Sequence, residues 1–317
     1  MTVYPADLAS IRAAQARIAP YVHRTPVLTC STLDALAGAR LFLKCENLQR
    51  GGAFKARGAH NAVFALTDDV AERGVVTHSS GNHAQALALA ARARGIRAHL
   101  VMPANAPAIK RAAVEGYGGI VHPCEPTLEA REREAARIAQ ETGATLVPPY
   151  DHPAVIAGQG TAALELLEEI PALDAIVAPV GGGGLVSGTA LCATELSPST
   201  SVFAAEPAGA DDAARSKASG VLVTEQTPRT IADGLRTTLG LLTWPVIRDR
   251  VADVIVVDDG AIVRAMRLLF ERAKLVVEPS GAVPLAAVLD ERFRARGLSR
   301  VGVILSGGNV DLDALPW

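Results

Sequence analysis

The sequence predicts an α/β protein of two lobes, each built on an open, mostly parallel twisted sheet flanked by helices. Short β-branched runs alternate with Ala/Leu/Arg-rich stretches at helical spacing. Glycine-rich turns follow several of the predicted strands, and the chain of 317 residues is long enough for two cores.

The alternation is most regular from Gly74 to Pro149. Val75, Val76 and Thr77 read as a strand; Ala84, Leu87, Ala88 and Ala91 then repeat at helical spacing. His99 to Met102 reads as the next strand, followed by a helix through Ile109 to Val114. A strand at Ile120 and Val121 precedes a charged helix over 127–141, and Thr145, Leu146 and Val147 close the unit. In the second half, strands are expected at Ala175 to Val177, Val202 to Ala204, Val254 to Val257 and Val301 to Leu305. The N-terminal segment is too short to stand alone. Residues 1–66 are therefore expected to join 152–317 in a large lobe, with 67–151 inserted as a small one.

Composition narrows the function. Hydrophobic residues make up 49% of the chain and charged residues 20%, with a net charge of −2. No basic face is apparent, which argues against a nucleic-acid partner. No run of about 18 uncharged apolar residues reads as a membrane span, and the N-terminus lacks the apolar core of a signal peptide. Cys30, Cys45, Cys124 and Cys192 lie far apart, so neither a disulfide framework nor a cysteine metal site is expected. A cytoplasmic protein is the natural expectation.

The strongest chemical signal is Gly181, Gly182, Gly183 and Gly184, between a predicted strand and a predicted helix. Consecutive glycines let backbone amides approach an anion, and the helix N-terminus completes a phosphate cradle. A plain tight turn would need fewer glycines, and the run matches neither a dinucleotide fingerprint nor a Walker loop. Lys55, behind Phe54 at the start of a small-residue helix, could be a surface lysine if read alone. Beside a phosphate cradle, its amine suits an imine with an aldehyde cofactor. The stretch His78, Ser79, Ser80, Gly81, Asn82, His83 leaves a strand and enters a helix. One capping residue would not explain so many polar positions, so a loop binding a carboxylate or a polar ring substituent is the better account. Glu206, Asp211 and Asp212 could hold a hard divalent cation, although read alone an acidic loop in solvent is preferred. Ser306, in a Ser-Gly-Gly-Asn turn after the last strand, lies where open α/β sheets gather ligands. The histidines form no metal triad, and no nucleophile elbow competes.

In this order the motifs resemble fold type II pyridoxal-phosphate (PLP) enzymes of the serine/threonine dehydratase and serine racemase family. The likeness runs from Thr25-Pro26-Val27 to Ser306-Gly307-Gly308-Asn309. It implies a two-domain fold like that of the tryptophan synthase β chain. Lys55 would be the Schiff-base lysine with Phe54 against the cofactor, Asn82 would bond the pyridoxal hydroxyl, Gly181 to Gly184 would hold the phosphate, and Ser306 would face the pyridine nitrogen. Ser79, Ser80, Asn82, His83 and Arg131 would contact substrate, and Ser80 would be the acid/base on the face opposite Lys55. Glu206, Asp212 and the Ala210 carbonyl would hold Mg, Mn or Ca, and Tyr117 falls at a nucleotide-contact position.

The resemblance implies β-elimination from L-serine, L-threonine or a relative such as 3-hydroxyaspartate, giving a keto acid and ammonia. The alternative is an amino-acid racemase using Lys55 and Ser80 as opposed acid/bases. A homodimer is the implied assembly. Gly51-Gly52-Ala53 replaces the Thr-Gly-Ser common before the lysine, which argues against ATP as an effector. Tyr150 stands where racemase relatives often have Asn, a dehydratase-like feature. The short tail after the last strand leaves no room for a regulatory domain of the isoleucine-inhibited type.

Overall fold

The computed structural model describes residues 3–106 and 108–317. The strands are β1 (Val27–Leu28), β2 (Arg40–Lys44), β3 (Val75–Thr77), β4 (Ala98–Pro103), β5 (Ile120–Cys124), β6 (Thr145–Leu146), β7 (Ala175–Pro179), β8 (Ser201–Pro207), β9 (Asp253–Val257) and β10 (Arg300–Ile304). They form a six-stranded sheet in the order β1-β2-β10-β7-β8-β9 and a four-stranded sheet in the order β5-β4-β3-β6. Every pairing is parallel except that of β1 with β2. The expected α/β architecture is therefore present, with one antiparallel edge.

Burial alternates along the strands as a two-residue period requires. In β7, Ile176 packs with Ile156, Leu164 and Val186 on one face of the large sheet. Its neighbour Val177 packs with Leu41, Ile255, Leu285 and Val303 on the other. Every residue of β7 is buried, as suits a strand covered by helices on both sides. In the smaller sheet, Val75 and Leu100 face the helix Asn82–Arg94, with Ala84 and Leu87 in the same cluster. Val76 and Val101 instead meet Ala135 and Ile138 of the helix Leu128–Thr142.

Most elements fall where the sequence places them, with small differences at their ends. Val147 lies beyond β6, yet its amide still bonds Val76 O at 2.9 Å. The helix after β3 begins at Asn82 with Gly81 as its N-cap, and neither Ser80 nor Asn82 caps it. β1 and β2 were not anticipated. β1 has only two residues, and β2 carries Lys44, a charge that masks a buried strand.

That charge belongs to a buried cluster. The Arg57 guanidinium donates Nε and Nη2 to the two oxygens of Glu46, both at 2.8 Å. It donates Nη1 and Nη2 to Glu165 at 2.7 and 2.8 Å. Lys44 Nζ donates to Glu165 at 2.6 Å and to Thr25 O at 2.7 Å, and Thr25 Oγ1 donates to Glu46 at 2.6 Å. Arg57, Lys44 and Glu46 are fully buried and Glu165 nearly so, and the two cations balance the two carboxylates. Burial works against the Arg57 charge, but Glu46 and Glu165 outweigh it and hold its pKa above the usual value. The cluster fastens the helix Lys55–Phe64 to β2 and to the helix Pro153–Glu169.

Arg57→Met should cost about 3–5 kcal/mol of stability, because it leaves two buried carboxylates with one cation between them. Urea unfolding of the purified variant measures the loss. A cost below about 1 kcal/mol, the range of an exposed pair, would contradict this account.

Candidate active site

The motif residues converge at the carboxyl ends of parallel strands. Ser79 and Ser80 follow β3, Tyr150 follows β6, the glycine run follows β7, and Ser306 follows β10. Lys55 opens its helix, and its amine donates to Pro149 O at 2.6 Å. The amine also lies 5.0 Å from the centre of the Phe54 ring. Phe54 N donates to Ser306 O at 3.0 Å, and Ala53 makes an isolated antiparallel bridge with Gly307. Those two contacts tie the lysine turn to the Ser306 turn.

The residue after Pro149 carries the connection to the glycine run. A Cβ added at Gly182 would overlap the Tyr150 ring, so the ring can lie against this loop only because residue 182 is glycine. Gly183 has φ +90°, a conformation that side chains disfavour, and serves as N-cap of the helix Gly184–Leu196. The amides of Gly181, Gly182 and Gly183 are buried and donate to no other described residue. Buried amides without acceptors are costly, and at a helix N-terminus they form a site for an anion such as a phosphate. Thr243 Oγ1 holds the loop from behind by donating to Gly182 O at 2.8 Å.

Burial lowers the pKa of Lys55 to about 8, against the opposing pull of Glu278. His83 is buried, and its Nε2 lies 3.0 Å from Val147 O; since a carbonyl only accepts, Nε2 carries the proton. Burial first, and then the Lys55 charge, push the His83 pKa down to about 3, so the ring is neutral. Ser79 Oγ accepts from Gly81 N at 3.4 Å, while the half-buried Ser80 hydroxyl has no partner among the described residues. Asn82 Nδ2 donates to Glu278 at 2.8 Å, and Asn82 Oδ1 accepts from Asn309 Nδ2 at 2.9 Å.

The other expected residues sit further out. Arg131 bonds Thr127 O at 3.3 Å within its own helix and meets the loop through His78, whose pKa its charge helps to lower after burial. Tyr117 packs with the small-sheet core cluster that contains Leu87 and Leu100. Glu206 accepts from Ala213 N and Ala214 N, both at 2.9 Å, and Asp212 accepts from Gln226 and Leu239 N at 2.7 and 3.0 Å. Burial raises Glu206 to about 8 and Asp212 to about 6. No ion pair involves either residue, and no group of three or more His, Cys, Asp or Glu able to hold a metal occurs, among the described residues. Two buried carboxylates left without a cation still fit a divalent ion whose remaining ligands are carbonyls and water.

Three residues were not singled out from the sequence. Glu278 is buried beside Asn82 and Lys55, and its only local signal is an acid preceding Pro279 at a helix start. Asp151 accepts from Leu241 N, Leu242 N and Thr243 N at 2.9–3.2 Å, which holds the segment that supports the glycine loop. Thr243 completes that support, and nothing near it in sequence marks it.

The family model for pyridoxal-phosphate dependent enzymes matches residues 18–307. The chain belongs to that family. The enzyme is 56% identical over 316 residues to the serine racemase of Oryza sativa subsp. indica, covering 98% of this chain and 93% of that protein. It is 51% identical over 305 residues to the β-hydroxyaspartate dehydratase of Paracoccus denitrificans (strain Pd 1222), covering 96% of each. The solved structure of maize serine racemase matches with a TM-score of 0.96 at 55% identity, covering 98% of this chain and 95% of that one. No helix among the described residues is long and apolar enough to cross a membrane.

In the cofactor-free enzyme, Lys55 should react with an amine-directed acylating reagent with a midpoint near pH 8. The sign follows from its lowered pKa: below pH 8 the amine is protonated and unreactive, and above it the free base accumulates. Peptide mass spectrometry across a pH series reads this, and a midpoint near 10.5, the ordinary lysine value, would refute the burial argument.

Proposed function

We propose that this enzyme removes the Cα proton of a small 3-hydroxy amino acid and directs the product to β-elimination, with racemisation as the second outcome. The observation that carries the reading is the enclosed, pKa-lowered Lys55 amine joined through Pro149 and Tyr150 to a glycine loop with acceptor-free amides. The candidate substrates are L-serine, L-threonine and 3-hydroxyaspartate, and elimination yields a keto acid and ammonia. The 56% identity to a serine racemase and the 51% identity to a β-hydroxyaspartate dehydratase support both outcomes.

PLP, when bound, supplies an aldehyde for the imine and a sink for the charge left at Cα. Lys55 would hold it, Gly181 to Gly184 would bind its phosphate through backbone amides, Phe54 and Ser306 would border the ring, and Asn82 would meet its hydroxyl. Ser306, a neutral hydroxyl, would stabilise a protonated ring nitrogen less than a carboxylate would. Lys55 would be the general base that accepts the Cα proton. Ser79, Asn82 and His83 form the substrate-carboxylate loop, and Arg131 closes over it. Ser80, whose hydroxyl has no competing partner, returns a proton from the opposite face in racemisation.

Glu206, Asp212 and the Ala210 carbonyl are the proposed divalent-cation ligands. A homodimer in the cytoplasm is the expected setting, and nucleotide activation is not expected given Gly51-Gly52-Ala53 before the lysine.

A substrate panel with keto-acid and D-amino-acid readouts tests the activity, and silence with every 3-hydroxy amino acid would defeat it. Lys55→Ala should abolish both products and the cofactor's imine absorbance. Ser80→Ala should lower chiral conversion by about 10²-fold or more while keto-acid formation persists; a parallel fall of both would show that Ser80 is not a second base. Chelator should lower the Tm of the wild type and leave Glu206→Gln unmoved; equal shifts in both proteins would remove the cation assignment.

A further inference from the structure

Glu278 is buried at the mouth of the site, yet nothing in the reaction outlined above employs it. An acid before Pro279 at a helix start would ordinarily be a cap, but its side chain caps no amide of the helix Pro279–Leu289. Instead its Oε1 accepts from Asn82 Nδ2 at 2.8 Å, across 196 residues of chain. Asn82 Oδ1 in turn accepts from Asn309 Nδ2 at 2.9 Å, and the same Asn309 nitrogen donates to Gly51 O at 2.7 Å.

Both ends of this relay are acceptors, a carboxylate and a backbone carbonyl. The direction of every bond between them follows. The Asn82 group facing Glu278 must be its NH2, and the Asn309 group facing Gly51 must be its NH2, which leaves Asn82 Oδ1 to accept. The Asn82 amide is thereby held at both atoms, with one N–H spoken for and one remaining. The space for the carboxylate is also specific: a Cβ added at Gly307 would overlap Glu278 Oε1.

We propose that Glu278 is a positioning residue: it fixes the Asn82 amide so that Asn82 offers an N–H, and not its carbonyl oxygen, to the ring hydroxyl of the cofactor. This rests on the placement of Asn82 against that hydroxyl given above. A donor there stabilises the ionised hydroxyl, whereas a flipped amide would present an acceptor and favour the protonated form. Glu278 thus sets the charge of the cofactor ring without touching it.

The test uses reconstituted holoenzymes and the two absorbance bands whose ratio reports whether the bound cofactor's hydroxyl is ionised. At one fixed pH, Glu278→Ala and Asn82→Ala should each shift the ratio toward the protonated form by about tenfold, the scale of one hydrogen bond to a charged group. Glu278→Gln still offers an acceptor oxygen to Asn82 and should stay within about twofold of wild type. A role confined to stability would lower Tm and leave the ratio of the folded fraction unmoved. If Asn82→Ala shifts the ratio and Glu278→Ala does not, the Glu278 proposal alone is overturned. If neither shifts it, Asn82 does not face the hydroxyl and both assignments are overturned. If Glu278→Gln behaves as Glu278→Ala, the charge acts and the amide does not, which also overturns the proposal. Should Glu278→Ala fail to fold, Gly307→Ala carries the same test by displacing the carboxylate: a shift supports the relay, and a wild-type ratio overturns it.

Discussion

The site depends on a guanidinium held in two forks inside the protein. Arg57 lies two residues beyond Lys55 on the same helix, so whatever fixes Arg57 fixes the root of the lysine. Its paired bonds to Glu46 and Glu165 join that helix to the turn that follows β2 and to the helix Pro153–Glu169. Two forked pairs leave little angular freedom. Without such an anchor a lysine is a long, mobile side chain, and here its amine has one hydrogen-bond acceptor among the described residues, Pro149 O. Buried ion pairs add little net stability compared with well-packed hydrophobic groups. The cluster orients the helix whose first residue is Lys55.

The electrostatics around Lys55 then become coherent. Burial pushes its proton off, and Glu278 holds the proton on; the balance leaves an amine that ionises near neutral pH. A carboxylate in direct contact would have kept the amine charged. A carboxylate fully occupied elsewhere can sit near it at lower cost, and Glu278 is bonded to Asn82. His83 is forced neutral by the same enclosure, so it does not compete as a base at physiological pH. The lowered pKa values of Lys55 and His83 are consistent with the proposed role of Lys55 as proton acceptor.

What the sequence made legible was local. A glycine run after a strand, a lysine behind an aromatic and a polar loop entering a helix each carry their signal within about ten residues. The strand-helix periods were readable for the same reason, and Gly74 to Pro149 resolved into four strands as expected. The parts that escaped are those whose partners are remote. Arg57 reads as an ordinary helical residue, because its partners lie 11 and 108 positions away. Asp151 looks like a loop acid until it meets amides 90 residues on. Lys44 hides β2 because a buried charge is only plausible once Glu165 is seen beside it. Glu278 is the sharpest instance, since a functional reading of it requires Asn82, Asn309 and Gly307 together.

In the proposed reaction the two outcomes would separate at one hydroxyl. Lys55 would begin both, and the proposed phosphate cradle and ring contacts would serve both, so none of these would set the product. Ser80 differs from its neighbours in having no hydrogen-bond partner among the described residues: Ser79 accepts from Gly81, Asn82 is locked at both amide atoms, and His83 is tied to Val147. A free hydroxyl costs little to reorient, and it needs only to lie within proton-transfer reach of Cα to turn elimination into racemisation. Since about 1.4 kcal/mol changes a rate ratio tenfold, a small displacement of the loop that carries Ser80 is enough to reverse the preference. On this proposal the scaffold would fix where the proton leaves, and the loop that carries Ser80 would decide whether it returns.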